Sequence, residues 1–118
     1  MTDLPPRAFI PMPDAVEPSM MKVVDLHAET IESGKRLRVF IQITPFLESP
    51  FVVVTLKNHH DVEVCTARII EPALNRMSIV MHIRQNQDEA GQYSLTASIE
   101  YPTYGQVANL ETKYNEDH

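Results

Sequence analysis

From about residue 20 the chain alternates apolar and polar residues in steps of two, and helical spacing of apolar residues never persists beyond a turn or two. That period predicts strands. The first is VVDLHAE (23–29), closed by the turn-like ESGK of residues 32–35. RLRVFIQIT (36–44) follows, with Leu37, Val39, Ile41 and Ile43 on one face and Arg38, Phe40, Gln42 and Thr44 on the other. PFLESP (45–50), with a proline at each end, reads as a connection. FVVVTLKN (51–58) is apolar on both faces, as a central strand is, and NHHD turns it into VEVCTARII (62–70), which together predict a hairpin. EPALN (71–75) is expected to hold a short helical turn. RMSIVMHIR (76–84) turns Met77, Ile79, Met81 and Ile83 inward and Ser78, Val80 and His82 outward.

The clearest strand starts in QDEAGQYSLTASIEY (87–101), where Tyr93, Leu95, Ala97 and Ile99 share one face and Ser94, Thr96, Ser98 and Glu100 the other. YPTYG (101–105) is a turn, and QVANLETKY (106–114) is the last strand. Seven short strands with one wet face each bury their dry faces against one another. The expected fold is all-β, a seven-stranded antiparallel sandwich over residues 20–115, with a small closed barrel as the alternative that strand count does not separate. Five of the nine prolines fall in the first eighteen residues, so residues 1–19 read as an extended Pro-rich arm. Residues 116–118 are a polar tail.

The spacing Glu89-x-Gly91-x-Tyr93-x-Leu95 resembles the tyrosine corner of immunoglobulin-like domains, acidic-x-Gly-x-Tyr-x-Cys, where the tyrosine opens the sixth strand. The resemblance implies an immunoglobulin-like sandwich in which Tyr93 packs inward and its hydroxyl ties down the corner. Leu95 stands where antibody-type domains carry cysteine, and the chain has no tryptophan for the third strand. The likeness is therefore to a disulfide-free relative.

At 118 residues, 43% hydrophobic and 22% charged, the chain has the balance of one folded domain. Its net charge of −6 repels phosphate backbones and anionic lipid, and only GKRLR (34–38) interrupts it, so neither nucleic acid nor membrane is an expected partner. Cys65 is the single cysteine, and the N-terminus has no basic segment leading into an apolar run. The expected location is cytoplasmic.

Candidate chemistry is sparse. His59, His60 and Asp61 form the densest group of metal-ligand types, but neighbours on a strand point to opposite sides unless the turn rearranges them, and a solvated hairpin tip is the ordinary reading. Asp25 and His27 on the first strand with His82 on the fifth form a second conceivable site if those strands share a sheet. Cys65 sits in an apolar strand, where an inert packed thiol is usual. No nucleophile elbow, phosphate loop or dinucleotide fingerprint occurs, and the acidic residues are scattered through turns. Neither a cofactor nor a catalytic residue is assigned.

More informative are apolar residues on wet faces. Phe40 and Val80, with Phe51 and Val53, mark a contact surface for a protein partner or a second copy, unless Phe9 or Ile10 of the arm covers Phe40. The expected function is accordingly a non-catalytic protein-interaction or self-association module. The alternative is a carbohydrate-binding sandwich using Tyr101, Tyr104 and Tyr114 as stacking platforms; the low aromatic content of 7% speaks against it.

Overall fold

The computed structural model describes residues 13–31, 36–82 and 92–115, the side chains of 92, 114 and 115 excepted. It contains seven strands: β1 (Val23–Ile31), β2 (Arg36–Ile43), β3 (Phe51–Lys57), β4 (Glu63–Ile70), β5 (Arg76–His82), β6 (Gln92–Tyr101) and β7 (Gly105–Asn115). They form a three-stranded sheet in the order β1-β2-β5 and a four-stranded sheet in the order β4-β3-β6-β7, with every ladder antiparallel. The fold is an all-β sandwich.

Period two decides which side chains meet. On the three-stranded sheet Leu37, Val39 and Ile41 lie opposite Met81, Ile79 and Met77. On the four-stranded sheet Val52, Val54 and Leu56 lie opposite Ile99, Ala97 and Leu95. These rows form the core, in which sixteen hydrophobic residues are buried and, among the described residues, no charged side chain is. β3 runs between β4 and β6, so both its edges are satisfied by ladder bonds, which suits its β-branched run of three valines. Tyr93 is buried on β6, as the tyrosine-corner resemblance implies, whereas Glu89 and Gly91 lie outside the described residues.

Sheet membership differs from the constant-type immunoglobulin arrangement in one strand. There the fourth strand joins the first, second and fifth; here β4 stays with β3 through their tight hairpin. Asn58 shapes that hairpin tip: its side-chain carbonyl accepts from the amides of His60 and Val62, and its own amide donates to Val62. Asp61 takes the left-handed conformation there, at φ 64°, which aspartate tolerates better than most residues.

Two local expectations are corrected. Residues 71–75 hold no helical turn: Glu71 takes a left-handed conformation at φ 52°, and Asn75 is tied to β2, its carbonyl accepting from Ile43 N–H and its side-chain amide donating to the Ile43 carbonyl. A turn of 3-10 helix instead forms at Pro18–Met20, across the boundary at residue 19 where the extended arm was expected to end. Pro18 at its first position loses nothing there, since that amide has no helical acceptor. Residues 1–12, including Phe9 and Ile10, lie outside the described residues.

Leu95 sits at the centre of the core. Leu95→Ala is expected to cost about 2–5 kcal/mol, whereas Leu110→Ala, on the half-exposed part of β7, should stay within about 0.5 kcal/mol. Urea unfolding of the two variants against wild type measures the difference.

Candidate interaction surface

Because each strand reverses the one before it, residues 13–22, 44–50, 71–75 and 102–104 all gather at one end of the sandwich. The connection 44–50 is their hub. Phe46 plugs it into the core with no exposed surface, and Pro50 is buried where β3 begins. Val16 N–H donates to the Pro45 carbonyl at 3.0 Å and Leu47 N–H to the Val16 carbonyl at 3.1 Å. Thr44 is bonded to Lys22 three times over, by its amide and hydroxyl donating to the Lys22 carbonyl and its hydroxyl accepting from the Lys22 amide. The Ser49 hydroxyl donates to the Pro72 carbonyl at 3.5 Å, and the Tyr101 hydroxyl donates to the Glu48 carbonyl at 2.9 Å.

With the backbone so occupied, several large apolar side chains point outward from this end. Met20, Leu47, Ile70, Leu74 and Tyr104 are between 44% and 64% exposed. The same segments carry the exposed carboxylates of Asp14, Glu17, Glu48 and Glu71, with Lys22, and Arg76 at the start of β5, as local cations. Sequence reasoning passed over Met20, Leu47, Ile70 and Leu74. A signal was available, since Leu47 and Leu74 are apolar residues inside Pro-containing connections whose turns need no such side chain.

The four residues expected to mark a contact surface fall on opposite sides of the molecule. Phe40 and Val80 share the outer face of the three-stranded sheet as diagonal neighbours, since Phe40 lies opposite Ser78 and Arg38 opposite Val80. The His27 ring stacks on Phe40 with centroids 4.8 Å apart, while Asp25 holds His27 Nδ1 at 2.7 Å. Phe51 and Val53 lie on the outer face of the four-stranded sheet, half-buried, with Ile70 beside Phe51 and Arg68 beside Val53. The Arg68 guanidinium lies 5.8 Å from the Phe51 ring centre and 4.0 Å from Glu100.

Of the three tyrosines expected as stacking platforms, Tyr101 is not available: it is 1% exposed and occupied by its bond to Glu48. The reason is parity, for Tyr101 continues the inward row 93, 95, 97 and 99 of β6. Tyr104 is exposed and meets Tyr101 edge-on at 6.1 Å. The side chain of Tyr114 lies outside the described residues.

His27 and His82 do share a sheet face, but their registers separate them. His27 is level with Phe40 and Ser78, and His82 with Arg36, two strands across and four residues along, or about 16 Å. The turn does bring His59 and His60 together, with ring centres 4.0 Å apart, while Asp61 lies 3.9 Å from the Lys57 amine. Among the described residues no group of three His, Cys, Asp or Glu side chains is arranged to hold a metal ion. Cys65 is half-buried on β4 and packs against the core.

The fold resembles part of a much larger chain. β-Glucuronidase from Ruminococcus gnavus in complex with C6-substituted uronic isofagomine matches with a TM-score of 0.58 at 15% identity, over 81% of this chain and 16% of that one. The same enzyme in complex with D-glucaro 1,5-lactone matches with a TM-score of 0.55 at the same identity and coverage. This chain thus spans only 16% of the length of the enzymes it matches, and at such identity the likeness is one of fold. No family model and no curated protein matches the chain.

Burial, and then the charge of Glu48, push the Tyr101 phenol up to about 12. An unfolded chain releases that proton near pH 10, so the stability Tyr101 contributes is fully present below pH 10 and is lost as pH rises toward 12. Urea unfolding between about pH 8 and pH 12 should show wild type losing on the order of 2 kcal/mol more than Tyr101→Phe across that window. At neutral pH the same variant should be less stable by about 1 kcal/mol, for the lost bond to Glu48.

Proposed function

We propose that the chain is a non-catalytic, immunoglobulin-like module that binds protein through the apolar end of its sandwich. The observation carrying this reading is the conjunction at that end of a stitched backbone and outward apolar side chains. Loops ordinarily expose polar residues, and a rigid platform of Leu47, Ile70, Leu74 and Met20 loses hydration cost only when something covers it. Burying one such leucine or isoleucine is worth about 1.5–3 kcal/mol before the costs of association. Phe51 and Val53 extend the surface around the corner, next to Ile70.

A second reading is a carbohydrate-associated module. Two observations favour it: the matched chains are β-glucuronidases, and Tyr104 presents an exposed ring at the same end. A sugar-binding platform would depend on Tyr104, so Tyr104→Ala would abolish glycan retention while leaving protein contacts through Leu74 in place.

A photo-crosslinking residue at position 74 or 47 should give a protein adduct in cells that express the natural gene. The same residue at position 62, exposed at the opposite end, should give none. Equal labelling from all three positions, or none from 74 and 47, would overturn the protein-binding reading. Retention on a glycan array that is lost in Tyr104→Ala would establish the second reading in its place.

A further inference from the structure

The outer face of the three-stranded sheet has a charge opposite to that of the molecule as a whole. Its register sets out four rows, Ile31-Arg36-His82, Glu29-Arg38-Val80, His27-Phe40-Ser78 and Asp25-Gln42-Arg76. The half formed by β2 and β5 therefore carries Arg36, Arg38, Arg76 and His82 around Phe40 and Val80, and no carboxylate. Both acids of this face stand on β1, where Asp25 bonds His27 and Glu29 lies opposite Arg38. Neither Arg38 nor Arg76 has an ion-pair partner among the described residues. Val80 is 41% exposed at the centre of this basic half.

The segments at the sandwich end have the inverse composition, with exposed apolar Leu47, Leu74, Ile70 and Met20 alongside the exposed carboxylates of Asp14, Glu17, Glu48 and Glu71. Building on the reading that this end binds protein, we propose that its partner is a second copy of the chain, received on the outer face of the three-stranded sheet. Charge disfavours end against end, which would set four carboxylates against four. Face against face matches signs only where the β1 acids of one copy, Asp25 and Glu29, meet the arginines of the other, and that shifts Phe40 and Val80 away from the centre of the contact. End against face brings opposite signs together around two apolar centres.

Such a contact is heterologous. Each copy keeps one free end or one free face, so the assembly grows into a chain or a ring rather than stopping at a two-fold dimer. The two surfaces are of similar size. Three strands at about 4.8 Å by four rows at about 7 Å, and a sandwich end about 20 Å on a side, each offer roughly 400 Å². A total near 800 Å² falls below the roughly 1,200 Å² at which stable specific interfaces begin, so the association is weak, transient and sensitive to salt.

The test uses one variant for each surface: Arg38→Glu on the face and Leu74→Asp at the end, with Glu71→Lys as a second end variant. All three positions are exposed, and thermal melts check that each variant folds. Wild type should associate in sedimentation equilibrium at about 0.02 M salt and up to about 1 mM protein, and dissociate at about 0.3 M salt. Each variant alone should lose at least about tenfold in association, equivalent to about 1.4 kcal/mol. An equimolar mixture of Arg38→Glu and Leu74→Asp should recover a complex that stops at one copy of each, because one partner has an intact end and the other an intact face. A monomeric wild type, undiminished association of Arg38→Glu, or a mixture that stays monomeric while wild type associates would each overturn the proposal. A monomeric wild type whose position 74 still crosslinks to a different protein would overturn this inference alone and leave the protein-binding reading standing.

Discussion

The constraint on which the rest depends is the pressing together of two dry sheet faces, one from β1, β2 and β5 and the other from β3, β4, β6 and β7. Side chains on a strand alternate sides, so a residue facing the opposite sheet commits its neighbours to the outside. Val39, Val54 and Leu95 have no exposed surface for this reason, and Arg38, Val53 and Ser94 lie on the outside for the same reason. Once the faces close, the connections have no freedom to move apart, and Phe46 extends the closure to the end of the sandwich by filling the gap beneath residues 44–50.

The two described hairpin and connection regions solve their polar bookkeeping differently. At the Asn58 tip one side chain satisfies two amides of its own turn. At the opposite end the bonds run between separate connections, from Val16 to Pro45, Ser49 to Pro72 and Tyr101 to Glu48. The polar backbone groups are consumed inward, and the apolar side chains are left outward. A surface built in this way resists rearrangement, because moving one loop breaks bonds in another.

Alternation made the strands legible in the sequence, since it is a local property. The inward rows of β2, β5 and β6 follow from reading every second residue. Local parity does not reveal which sheet a strand joins, and β4 lies beside β3 because of the shortness of their hairpin. Tyr101 shows the same limit from the other side: reading YPTYG as a turn cut β6 one residue short and moved a core tyrosine into the loop. The pairing of His27 with His82 failed on register, which the ladder bonds fix and spacing along the chain does not. The apolar end was hidden for a further reason: four segments distant in sequence build it, and none of them carries a recognisable motif alone.

Seven strands, each reversing the last, also mean that the path enters at one pole and leaves at the other, with β1 starting beside Ile43 and β7 running eleven residues away from Tyr101. Tension applied between those two poles would pull β1 and β7 along their own lengths in opposite directions. Each is laddered to a neighbour on one side, β1 to β2 and β7 to β6, so the load falls across many hydrogen bonds at once instead of opening them singly. Shear of this kind gives a small sandwich the mechanical character of a rivet rather than a zip.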